Sequence, residues 1–132
     1  MTTLVIDSRD RINGTQNQFT LYLNPALENV HKVKLIFADI PSDSKTVDSA
    51  WYIQIPEFGC PVRSASVETS ATFMVPMTAG AGNRTIYSEN SMYTEIGNGN
   101  GVTLSSINVR LLWRKNQPWP LAGEWVIAVQ IE

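Results

Sequence analysis

A hydrophobic period of two, with almost no period of 3.6 beside it, is what most constrains this chain. Short runs in which every second residue is apolar recur between clusters of Gly, Pro, Asn, Asp and Ser, the pattern of half-buried strands bounded by turns. Strands are predicted over 2–8, 18–24, 31–40, 50–56, 71–77, 84–89, 91–96, 107–115 and 124–132.

Alternation within those runs sets the inward faces: Phe19, Leu21 and Leu23; Val33, Leu35 and Phe37; Trp51, Ile53 and Ile55; Val109, Leu111 and Trp113; Trp125, Ile127, Val129 and Ile131. These residues form the expected core. About eight strands, joined by loops too long for a plain meander, predict an all-β fold in which two antiparallel sheets pack about 10 Å apart, with a jelly roll as the leading architecture. Segment 24–31, "NPALENVH", is expected to form one helical turn, with Asn24 as cap and Pro25 at the first helical position. Segment 57–70 has no clear period, and 78–84 and 97–101 read as Gly/Asn turns.

Composition narrows the classes. With 132 residues, 43% of them hydrophobic, the chain is expected to be a single domain, 1–132. Its net charge of -2, without a basic cluster, argues against nucleic acid as a partner. Cys60 has no second cysteine to pair with, which points to a reducing cytosol. No apolar run approaches the ~20 residues of a membrane span and the start lacks a signal-peptide pattern, so a soluble chain with no membrane partner is expected. The sequons at Asn13 and Asn83 read as turn residues.

Residues that carry chemistry are sparse. His31 is the only histidine, so there is neither a His cluster for a metal nor the commonest general base. Cys60 lacks a nearby base or cationic cluster and reads as a structural thiol. Asp7 with Asp10, or Glu89 with Glu95, are the nearest carboxylate pairs a glycosidase would need, but chain spacing alone does not make a pair. The "GAGN" and "GNGNG" loops lack the following helix that a phosphate cradle requires. The expectation is a non-enzyme with no cofactor, no metal and no catalytic set.

The stretch "IDSRDRING" places Asp7, Arg9, Asp10 and Arg11 directly behind an apolar strand. A calcium loop needs more oxygen ligands at fixed spacing than two aspartates provide, and the arginines compete for those carboxylates. A structural corner is expected, in which Asp7 and Asp10 accept backbone and Arg hydrogen bonds and Asn13-Gly14 turns the chain.

The segment "LVIDSRDRINGTQNQFTLYLNPALENVHKVKLIFADIP", with "YSEN" (87–90), "VRLLWR" (109–114) and "LAGEW" (121–125), resembles the small jelly-roll cement, or decoration, proteins of tailed-phage heads, in particular short-tailed phages of the Bordetella phage type. Short "DSRDR" starts also occur in minor capsid proteins of large DNA viruses. The resemblance covers most of the chain. It implies a virion protein, made in the host cytoplasm, that binds the outer capsid surface across junctions of the major capsid protein. It also implies a homodimer that clamps the shell against internal pressure.

Several positions opposite the predicted core are apolar: Tyr22, Ile36, Ala38, Leu112, Val126 and Ala128. A sheet with one face in water alternates more strictly, so either this chain's own loops or a partner covers them. Candidate partner contacts are therefore Tyr22, Ile36, Leu112 and Val126, with Trp119 held between two prolines in a loop and Arg110 and Arg114, beside Arg9 and Arg11, as rim charges. Alternative readings are a carbohydrate-binding jelly-roll module, which needs at least two exposed coplanar aromatics, or another minor virion protein that binds a receptor.

Overall fold

Trp51 and Ile53 are completely buried while their neighbours Ala50, Tyr52 and Gln54 are only partly so, and this alternation builds the core strand by strand. The computed structural model describes residues 2–41, 50–63, 65, 69–76, 84–87, 93–97, 100–113, 117–118 and 123–132. Its strands are β1 (Thr2–Asp7), β2 (Asn13–Thr15), β3 (Gln18–Val30), β4 (Lys32–Pro41), β5 (Ala50–Gln54), β6 (Val62–Arg63), β7 (Ser70–Ala71), β8 (Phe73–Pro76), β9 (Arg84–Tyr87), β10 (Thr94–Glu95), β11 (Val102–Trp113), β12 (Gln117–Pro118) and β13 (Val126–Ile131). Single 3-10 turns lie at Ser8–Asp10 and Pro56–Phe58.

Two antiparallel sheets pack as a sandwich. The first runs β1-β13-β4-β10, with β9 also on β4; the second runs β2-β3-β11-β5-β8, with β12 also on β11; β6 and β7 form a small separate pair. The inner faces meet in one apolar cluster that includes Ile6, Phe19, Leu35, Trp51, Ile53, Val109, Trp125, Ile127 and Val129.

Most predicted core positions are buried, and the exceptions have causes. Phe37 is only half-buried, whereas Ala38, expected outside, is fully buried. A bulge is responsible: Val129 faces Leu35 but Ala128 faces Phe37, so Ile36 is an extra residue and the phase of β4 flips from Val33 and Leu35 to Ala38 and Ile40. Leu112 is fully buried as well, outside the main cluster. Leu23 is half-buried against the core, and the side chain of Trp113 lies outside the described residues.

The helical turn expected over 24–31 is instead strand. β3 continues to Val30, and pairing with β11 passes from Tyr22–Ser106 to Leu27–Leu104 across a second irregularity. Pro25, which has no N–H to give a ladder, sits in that interruption, so a residue that reads as a helix start serves here as a bulge residue.

β5 stops at Gln54, opposite Arg110, and the next edge N–H of β11 belongs to Asn108. The Glu57 carboxylate takes it at 2.6 Å from the 3-10 turn, while Phe58 of the same turn fills the core. Thr72 acts similarly between β7 and β8: its buried hydroxyl accepts from Ile55 N–H at 3.0 Å and donates to the Gly59 carbonyl at 2.7 Å. Replacing Glu57 with Ala leaves an edge N–H without its charged acceptor. The expected loss is about 1.5 kcal/mol of unfolding free energy in a urea titration, with an unchanged slope.

Candidate functional site

Chain connection between the two sheets begins at the end of β1. Asp7 caps the 3-10 turn, accepting from Arg9 N–H at 2.9 Å, and Arg9 folds back so that Nε and Nη2 reach the same carboxylate at 3.0 and 2.7 Å. Ser8 is fully buried between this turn and the start of β13. Its N–H donates to the Trp125 carbonyl at 3.0 Å, its hydroxyl accepts from Trp125 N–H at 2.9 Å, and that hydroxyl donates to the Glu124 carboxylate. Arg11 closes the group: Nη1 donates to the Ser8 carbonyl at 2.7 Å and to both Glu124 oxygens at 3.0 Å. Below it, the Trp125 indole N–H donates to the Gln16 carbonyl and the ring packs against Phe19 at 5.7 Å. The result is a clasp across the mouth of the sandwich.

Its electrostatics follow from these bonds. The Arg9 side-chain hydrogen bond holds the Asp7 carboxyl below its ordinary value, and the Ser8 hydroxyl, then Arg11, does the same for Glu124. The clasp thus joins Asp7, Arg9 and Arg11 as a corner, but no described hydrogen bond reaches Asp10, which is exposed. Instead Ser8 and Glu124 complete the group. Among the described residues no three His, Cys, Asp or Glu side chains converge as a metal site requires. Of the carboxylate pairs, Asp7 is engaged by Arg9, and Glu89 lies outside the described residues.

A second polar group lies where β4 meets β10. The ammonium groups of Lys32 and Lys34 sit 4.5 and 4.6 Å from the Tyr93 ring centre, and Lys32 lies 3.9 Å from the Glu132 carboxylate.

The expected partner contacts are dispersed. Tyr22 projects from β3 with 70% of its surface exposed. Ile36 and Val126 are half-buried, and Leu112 is withdrawn from any partner by its complete burial. Arg110 is half-buried and donates to Gln54 Oε1 at 3.0 Å, so it is held along the outer face of the second sheet. Arg114 and Trp119 lie outside the described residues. The sequence did not single out a slot of about 380 Å³ between the edges of β1 and β3, where the inner faces of Leu4, Leu21, Leu23 and Leu27 are reached from outside beside Val5 and Tyr22. Only pairing information reveals it, because it depends on β1 ending the first sheet and on β2 covering β3 only at Gln18–Thr20.

No protein-family model matches this chain, and no curated protein matches it.

Two outcomes test the clasp. Ser8→Ala strands the buried Trp125 N–H and is expected to cost about 2 kcal/mol in denaturant unfolding. A carboxyl held below its ordinary value stabilises fully above that value and loses the contribution as pH falls toward the folded one. Stability is therefore expected to decline once pH drops below the ordinary 3.8 of Asp7 and 4.5 of Glu124, and Arg11→Ala is expected to shrink that decline.

Proposed function

We propose that this chain is a structural virion protein: a single-domain jelly-roll cement, or decoration, subunit on the outer surface of an icosahedral phage capsid. In this reading it is made in the host cytoplasm, bridges major capsid protein subunits as a homodimer and stabilises the shell by non-covalent contacts, with no catalysis.

The observation that carries the reading is the order of strands. Take β1, β3, β4, β5, β8, the β9/β10 pair, β11 and β13 as the principal strands in chain order. The first then pairs with the eighth, the second with the seventh, the third with the sixth and the fourth with the fifth. Alternate pairs fall in opposite sheets. A long antiparallel double strand wound around a core yields this order, which supports the jelly roll that the sequence resemblance implies. The exposed apolar groups on the β1/β3 side, Val5 and Tyr22, support contact with another protein. A sugar-binding reading needs two exposed coplanar rings, and among the residues whose side chains are described Tyr22 is the one exposed aromatic.

Repeated weak sites on one shell give tight retention through avidity. Purified protein mixed with heads that lack it is expected to sediment with them to a saturating level; heads recovered bare overturn the proposal. Arg9→Ala is expected to slow association and weaken its salt dependence, because a rim charge steers encounter, whereas Tyr22→Ala is expected mainly to speed dissociation. Surface plasmon resonance on immobilised heads separates the two.

A further inference from the structure

β1 ends the first sheet, paired with β13 on one side and with no described strand on the other. An unpaired edge is a template for another strand, and proteins ordinarily blunt it with brevity, charge, proline or a bulge. Other outer strands of the sandwich are blunted in these ways: β10 has two residues, β2 has three and includes Gly14, and β8 ends at Pro76. β1 has none of these guards from Thr2 to Ile6, and it pairs with β13 without a register shift. Beside this edge, which no described strand covers, lies the slot: its wall is mainly leucine with Asp10 also on it, and it is flanked by Val5 at 57% and Tyr22 at 70% exposure.

We infer that the occupant of this edge is the β1 strand of a second copy of this chain, laid antiparallel across a two-fold axis so that the two β1-containing sheets become one. The inference deepens the dimer element of the function proposed above and rests on no other part of it. Charge is compatible with this occupant. Residues Thr2–Ile6 are uncharged, so the strand meets itself without opposing like charges, and the acids that follow, Asp7 and Asp10, fall at opposite ends of the joined pair. A two-fold also makes the contact closed and identical for both copies.

Geometry then sets the register. Paired residues in an antiparallel ladder point to the same face, so even-numbered residues of β1 meet even-numbered residues and odd meet odd. Pairing Leu4 with Leu4 of the second copy sets Thr3 against Val5 and Thr2 against Ile6, and uses only uncharged positions. Centring the axis on Val5 instead sets Asp7 against Thr3, which draws the clasp carboxylate into the joint.

The test combines wild type with two double variants, all checked for folding by thermal melting and followed by analytical ultracentrifugation through a dilution series. Wild type is expected to sediment at twice the chain mass and to dissociate on dilution. Thr3→Lys/Val5→Lys opposes ammonium groups at two pairs and is expected to be a folded monomer. Thr3→Glu/Val5→Lys places opposite charges at the same pairs and is expected to restore the dimer. A monomeric wild type, a Lys/Lys variant that stays dimeric, or a Glu/Lys variant that stays monomeric each overturns the inference. Amide exchange in unaltered protein gives an independent reading. Outward-facing N–H groups within Thr2–Ile6 are expected to gain protection as concentration rises, and their full exchange in the dimer overturns it too. A monomer that still sediments with heads removes this inference and leaves the capsid proposal standing; a β1-joined dimer that ignores heads does the reverse.

Discussion

The arrangement of both sheets depends on the buried hydroxyl of Ser8. It stands where β1 has ended and the chain turns toward β2, and it bonds both the backbone of Trp125 and the carboxylate of Glu124. A serine in this position would leave polar groups stranded in an apolar setting unless each found a partner. Arg11 supplies the remaining positive charge, while its own guanidinium is anchored by the Ser8 carbonyl. Because Trp125 also bonds Gln16 and packs on Phe19, a shift of this one residue would move β13 relative to β3, and with them the sheets they belong to.

Within the clasp the two arginines have different roles. Arg11 is part-buried and multiply bonded to the Ser8 carbonyl and the Glu124 carboxylate, so it belongs to the fold. Arg9 makes only a local loop with Asp7 and keeps 69% of its side chain in solvent. Such an exposed pair adds little to stability, which leaves Arg9 available to meet another surface without disturbing what lies beneath.

Strand positions and inward faces were legible in the sequence wherever alternation runs unbroken, as in Trp51–Ile55 and Trp125–Ile131. Legibility failed where the ladder slips. Nothing local to "KLIFADI" says that Ile36 is a supernumerary residue; the slip is defined by β13, far along the chain. Pro25 misled for the same reason, since its missing N–H suits a helix start and a strand bulge equally. Of the clasp, the local half was readable: Asp7, Arg9 and Arg11 are close neighbours with complementary charge. Glu124 was not, because it lies 113 positions from Arg11 and only the β1–β13 pairing brings them together. Asp10 shows the converse: a charge in the motif does not become a bond unless the turn aims it inward.

The pairing of β1 with β13 also says something about how the protein comes into being. β13 lies between β1 and β4 in its sheet, so a growing chain holds the two flanking strands long before the one that joins them exists. β1 cannot join the first sheet until synthesis reaches Val126–Ile131, and those closing contacts span nearly the whole chain. Long-range closures of this kind make folding slow, since the entropy of a large loop must be overcome before its contacts reward it. Meanwhile β1 waits with both of its edges unpaired, the period in which a nascent chain of this design is most exposed to pairing with the wrong strand.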